Sequence, residues 1–186
     1  MVDEQKLVKE CLRNNAGAQK QLYEHFADSM LGICYRYTKS MNDAQEVLQM
    51  GFIKVFRNLH QYRQQGELGA WIRRIMVTTA LNYLKRKPRY QLDLGFDDSV
   101  LHPVERDTPD ININLKDILN MVRQLPAGYQ AIFNLHAVEG YSHVEIGKML
   151  GIKEGTSRSQ YARARALLIG WLEKYSVNSK KNSYGG

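Results

Sequence analysis

The segment Tyr141-Ser142-His143-Val144-Glu145-Ile146-Gly147-Lys148-Met149-Leu150-Gly151-Ile152 narrows the choice of fold more than any other part of the chain. Ser142 and Glu145 stand in the S-x-x-E spacing of a capping box, in which each side chain accepts from the other's backbone N–H, so a helix starts here. Gly151 follows Leu150 and can take the left-handed conformation that ends a helix and turns the chain. Gly147 is small where a second helix must approach, and Ile152 is placed to plug the angle between the two. The second helix opens near Glu154 and reads Gly155-Thr156-Ser157-Arg158-Ser159-Gln160-Tyr161-Ala162-Arg163-Ala164-Arg165. Short hydroxyl side chains at its front, with arginines behind them, suit a helix in a major groove: Ser and Thr bond phosphates or bases, and Arg binds guanine bidentately. The reading is a helix-turn-helix, and the alternative is an ordinary helix hairpin with a basic outer face.

Elsewhere apolar residues recur at helical spacing. One stripe is Leu22, Phe26, Met30, Ile33 and Tyr37. A second is Leu48, Phe52, Val55 and Leu59. A third is Trp71, Ile75, Thr78 (or Thr79) and Asn82. Beyond residue 113 come Ile118, Met121 and Leu125, with Pro126 in a first helical turn. The pattern continues through Ile132, Phe133, Leu135, Val144, Ile146, Leu150, Ile152, Leu167, Leu168 and Trp171. No segment alternates with period two between hairpin turns. Three of the four prolines, Pro88, Pro103 and Pro109, fall in a polar stretch with Gly95, Asp97, Asp98 and Asp110 where the periodicity lapses. The expected fold is all-α: a small helical domain over 1–90, a flexible acidic linker over 91–112, a second helical domain over 113–178, and a loose tail over 179–186.

Charge divides along the same boundaries. The net charge is +7; residues 57–91 carry eight bases and the single acid Glu67, residues 92–113 six acids and Arg106, and residues 148–186 eight bases and two acids. Two basic blocks on amphipathic helices, separated by an acidic stretch, point to two surfaces that touch one polyanion. The two cysteines, Cys11 and Cys34, form no C-x-x-C pair, which excludes a disulfide scaffold and a zinc ribbon. There is no apolar run of membrane-spanning length and no signal peptide at the start. The class that remains is a soluble, basic, cytoplasmic protein.

In the first domain, Arg73, Arg74, Lys85, Arg86, Lys87 and Arg89 beside Trp71 and Tyr83 are suited to line a nucleic-acid strand, with aromatics stacking on unpaired bases. Trp71 at helical spacing with Ile75 equally fits a core position. Asp43 to Leu59 is an amphipathic helix whose outward set is Gln45, Glu46, Gln49, Met50 and Ile53, and the two apolar members suggest a protein partner, although scattered exposed apolars are ordinary.

Together these segments resemble the bacterial sigma-70 family of RNA polymerase sigma factors, in its extracytoplasmic-function (ECF) subfamily. Asp43-Ala44-Gln45-Glu46-Val47-Leu48-Gln49-Met50-Gly51-Phe52-Ile53-Lys54-Val55-Phe56 is similar to the family's polymerase-binding helix, with Gln45 and Met50 where acids are usual. Ala70-Trp71-Ile72-Arg73-Arg74-Ile75 through Asn82-Tyr83-Leu84-Lys85-Arg86 is similar to the segment that melts and holds the minus-ten element, with Thr78 where Asn is frequent. Leu125-Pro126 through Arg165 is similar to region 4, with Lys153 and Gln160 as departures. The order of the segments matches over nearly the whole chain.

The resemblance implies a transcription initiation factor that binds core RNA polymerase and directs it to promoter DNA, with no catalysis and no cofactor or metal. It assigns Asp43, Glu46, Gln49, Met50 and Ile53 to polymerase binding. Trp71, Arg73, Arg74, Thr78, Asn82, Tyr83, Lys85 and Arg86 go to the minus-ten strand, and Thr156, Ser157, Arg158, Ser159, Arg163 and Arg165 to the minus-thirty-five duplex. It also implies an anti-sigma partner and a monomer when free. The rivals are a stand-alone regulator and a recombinase. Against the first, residues 1–90 show no βα alternation. Against the second, the five histidines are dispersed and no Gly-rich phosphate loop occurs.

Overall fold

The computed structural model describes residues 3–87 and 114–183, which are helical with short turns and contain no strand. They belong to two compact units, Met1–Lys87 and Pro88–Gly186. The linker expected over 91–112 lies outside the described residues.

The first unit has four α-helices: α1 (Glu4–Leu12), α2 (Ala16–Tyr37), α3 (Met41–Asn58) and α4 (Leu68–Arg86), with a 3-10 turn at Leu59–Gln61 after α3. The starts of the first three are set by side-chain caps, in which Asp3, Asn15 and Ser40 accept from the backbone N–H of Lys6, Ala18 and Asp43. α2, α3 and α4 pack pairwise, and α1 lies on α2. The stripes of α2 and α3 face inward as their spacing requires: Leu22, Phe26, Met30, Ile33, Tyr37, Leu48, Phe52, Val55 and Leu59 are all buried. Each such side chain contributes about 1.5–3 kcal/mol by leaving water. Gly51 leaves room for the Met76 thioether of α4, which a Cβ there would displace.

α4 corrects the expected phase. Its buried residues are Leu68, Ile72, Met76, Val77, Thr79, Ala80, Leu81, Tyr83 and Leu84, whereas Trp71, Ile75 and Thr78 are half-buried and Asn82 is exposed. Of the expected stripe only the alternative Thr79 is fully buried; the other members lie at the margin of the core or outside it. The helix packs against both α2 and α3, so more than half of its girdle is apolar and the largest side chain, Trp71, does not mark the inner side.

The second unit runs α5 (Leu115–Gln124), α6 (Ala127–Phe133), α7 (His143–Leu150) and α8 (Glu154–Ser183). Pro126 stands at the cap of α6, one position before the first turn. After α6 a π turn covers Asn134–Val138, with Glu139 N–H donating to the Asn134 carbonyl at 2.9 Å. Val122, Leu125, Ala164 and Leu168 form a buried cluster with Met121, Tyr129, Phe133, Leu167 and Trp171 against it. Ile132, Leu135, Ile146 and Leu150 are also buried, but Val144 and Ile118 are 48% and 38% exposed. In α7 the inward side is Ile146, Gly147 and Leu150, which leaves Val144 in the first turn on the outside. α8 continues to Ser183.

Candidate functional site

The turn between α7 and α8 has the geometry expected of it. Both halves of the capping box form: Glu145 N–H donates to Ser142 Oγ at 3.3 Å and Ser142 N–H donates to Glu145 Oε2 at 2.8 Å. Gly151 sits at φ 76°, ψ 35°, and its N–H and that of Ile152 both donate to the Gly147 carbonyl, at 2.8 and 3.0 Å. A Cβ on Gly147 would lie 2.8 Å from the Ile152 carbonyl oxygen. That glycine is therefore required by the turn's backbone, closer than the second helix itself.

On α8, Arg158 and Arg165 are exposed, and Thr156, Ser159 and Arg163 are half-buried. Ser159 Oγ donates back to the Thr156 carbonyl at 3.1 Å. Ser157 is a correction: it is fully buried, and its Oγ lies 2.9 Å from His143 Nδ1 on α7. It ties the two helices together and faces away from any groove. His143 also stacks on His136 at 4.1 Å between ring centroids, with Tyr161 across both rings. Burial, then the neighbouring His136 and Arg158, lowers the His143 pKa. Glu154, which the sequence reading had not singled out, accepts from Arg158 Nε and Nη2.

On α3, Gln45, Glu46, Gln49 and Ile53 are exposed and Met50 is half-buried, a continuous outward strip. Asp43 is a correction, being only 3% exposed. Its carboxylate accepts from Ser40 Oγ at 2.6 Å and from the Tyr83 hydroxyl at 2.5 Å. Tyr83 is likewise buried, which removes it as a stacking platform. Its hydroxyl also lies 2.7 Å from Glu46 Oε2, and burial together with the two carboxylates raises its pKa far above the ordinary phenol value. Glu46 receives Lys87 Nζ as well, at 3.3 Å, and its pKa is lowered, first by the Tyr83 hydrogen bond and then by Lys87.

The outer face of α4 brings Trp71, Arg74, Thr78, Asn82, Lys85 and Arg86 to one side, as a turn of about 100° per residue requires. The same rotation puts Arg73 on the core side with Val77 and Ala80, where it is half-buried. Trp71 leans on Tyr62, centroids 5.6 Å apart. Thr78 Oγ1 donates to the carbonyls of Arg74 and Ile75, both at 3.0 Å, and so is engaged within its own helix. Lys54, missed in the sequence because it lies beside an apolar stripe, reaches from α3 to Thr79 Oγ1 at 3.1 Å. Among the described residues no cluster of three or more His, Cys, Asp or Glu could hold a metal, and no helix is long and apolar enough to cross a membrane.

Comparison with known proteins agrees with this anatomy. Residues 22–90 match the family described as Sigma-70 region 2, and residues 115–168 match Sigma-70, region 4. The chain is 30% identical over 176 residues to the ECF RNA polymerase sigma-E factor of Haemophilus influenzae, covering 89% of this chain and 93% of that protein. It is 30% identical over 170 residues to the ECF RNA polymerase sigma factor SigE of Mycolicibacterium smegmatis, covering 88% of this chain and 65%, less than two thirds, of that one. Among solved structures, the sigma factor RpoE of Bartonella quintana, in complex with the anti-sigma factor NepR, shares the fold with a TM-score of 0.53 and 18% identity, over 83% of this chain and 96% of that one. With both domains matched in order and a relative aligned over nearly its full length, the chain belongs to the ECF subfamily of sigma-70 RNA polymerase sigma factors, a family of transcription initiation factors and not of enzymes.

Proposed function

We propose that the chain binds core RNA polymerase through the outward strip of α3, Glu46, Gln49, Met50 and Ile53. The outer face of α4 holds the opened minus-ten strand with Trp71, Arg74, Asn82, Lys85 and Arg86, and the front of α8 reads the minus-thirty-five duplex with Arg158, Ser159, Arg163 and Arg165. The observation that carries this reading is the helix-turn-helix with its basic, exposed arginines: cap, left-handed glycine and second helix occur together. Opening of the strands draws on binding energy alone, so no reacting group is needed. The work is done where the polymerase and chromosome are, in the cytoplasm. An anti-sigma protein is the fitting regulator, because the Bartonella protein of the same fold is held by one.

Run-off transcription with purified core polymerase, on templates selected from genomic fragments, tests the reading. Factor-dependent transcripts from a small set of start sites are expected. A protein that binds duplex DNA tightly as a dimer, without polymerase and without supporting transcription, would overturn it.

A further inference from the structure

Glu154 and Arg158 stand one turn apart at the front of α8, and Glu154 Oε1 accepts from Arg158 Nε at 2.9 Å and from Nη2 at 2.5 Å. Their side chains are 42% and 65% exposed, so the pair is solvated and adds little to folding. Its effect is to select an edge of the guanidinium. That group offers a lateral edge, Nε–H with one Nη2–H, and a terminal fork, Nη1–H with the other Nη2–H. Glu154 takes the lateral edge. The terminal fork, whose spacing matches O6 and N7 of guanine, is not engaged by Glu154.

A carboxylate at this place has a second consequence. It stands in the first turn of α8, which on the proposed docking meets DNA first, and there it repels phosphate. Any docking that brings the backbone up to Arg158 also brings it up to Glu154, whereas a base edge carries no net charge. An arginine alone would take either partner. The pair favours the base.

We infer, on the reading of α8 as the helix that enters the upstream duplex, that Glu154 is a positioning residue for Arg158, holding its guanidinium by the lateral edge so that the terminal fork meets a guanine, and trading affinity for selectivity. Glu154 thus sets specificity without itself reading a base. The residue also stands in the first turn of α8, where an acid favours the helix, so the test must separate selectivity from folding.

The experiment uses the protein with core polymerase on a template whose upstream element has been selected from a randomised pool. Binding is measured against salt on the selected element, on each single-base change and on a scrambled element. Glu154→Ala should lose roughly tenfold of the discrimination at one base pair, the scale of one bidentate contact. Binding to the scrambled element should tighten. Glu154→Gln, which keeps an acceptor without the charge, should restore part of the discrimination. In an Arg158→Ala background, Glu154→Ala should change nothing at that pair.

Five results would overturn the inference, the last of them singling it out from the docking of α8. One is an equal change on all elements. Another is a loss of discrimination that persists without Arg158, because Glu154 would then read a base itself. A third is no rescue by Glu154→Gln. The fourth is Arg158→Ala leaving discrimination intact, which would overturn the docking of α8 as well. When Arg158→Ala costs selectivity and Glu154→Ala does not, the inference alone fails.

Discussion

Tyr83, near the end of α4, donates its hydroxyl to Asp43 Oδ1 in the first turn of α3 at 2.5 Å, across forty residues of sequence. The same hydroxyl lies 2.7 Å from Glu46 Oε2, so one proton serves two carboxylates. The outward strip of α3, proposed to face the polymerase, is thereby tied to α4, proposed to face DNA. Tyr83→Phe removes the hydroxyl of this link and leaves Asp43, 3% exposed, with a lost donor. A loss of about 1–3 kcal/mol is expected, read as a lower urea midpoint for the first domain's unfolding. A midpoint equal to that of the parent protein would refute the staple.

The turn of the second domain predicts an order of damage. Gly147→Ala presses a methyl to 2.8 Å from the Ile152 carbonyl oxygen, a backbone atom that cannot rotate away, and about 1–3 kcal/mol of stability should be lost. Gly151→Ala meets open space and only the strain of φ 76°, on the order of 1 kcal/mol. Thermal melts of the two variants should rank Gly147→Ala as the weaker fold, and the reverse order would contradict the close approach.

His143 predicts a pH dependence with a definite sign. Its folded pKa lies below the unfolded value of 6.5 through burial, then the charges of His136 and Arg158, partly opposed by Glu154. Between the folded and unfolded values the unfolded chain binds more protons, so stability rises with pH there. The contribution is full above pH 6.5 and is lost as pH falls through the folded value. Melting temperatures from pH 8 down to pH 5 should fall on the acid side, with His143→Gln flattening the curve. An NMR titration placing His143 at or above 6.5 would exclude this origin.

The surfaces separate by mutation. Ile53 is 51% exposed on α3, and Ile53→Ser should weaken capture by core polymerase while leaving the circular dichroism of the protein unchanged. It is a cleaner probe than Glu46, whose carboxylate also holds Tyr83 and Lys87. Arg158→Ala should leave capture alone and cost about 1–3 kcal/mol of promoter discrimination. Loss of capture by Arg158→Ala would move the polymerase contact to the other domain.

What the sequence made legible follows from how many faces a helix buries. α2 and α3 each show one clean stripe, and every expected member is buried. α4 packs on two neighbours, its apolar residues occupy most of the circumference, and the phase is lost. The helix-turn-helix was readable because its cap and turn are local chemistry, set by Ser142, Glu145 and Gly151 within ten residues. The resemblance assigns Asp43, Tyr83 and Ser157 to partners because the family's motif positions were visible. Their internal partners, 40 residues away for Tyr83 and 14 for Ser157, were not. Arg73 shared the fate of the α4 phase.

The inward turn of Ser157 bounds what α8, docked as proposed, could say about a sequence. Ser157, Gln160, Ala164 and Leu168 are buried at the three- and four-residue steps of one helix face, and they serve the fold. The positions that remain at the front of α8 are few: Glu154, Gly155 and Arg158 exposed, Thr156, Ser159, Tyr161 and Ala162 half-buried. On the proposed docking of α8, its vocabulary is therefore short. Because the inward residues serve the fold and the outward ones do not, the proposed reading positions can be rewritten toward a new promoter while the domain stays intact.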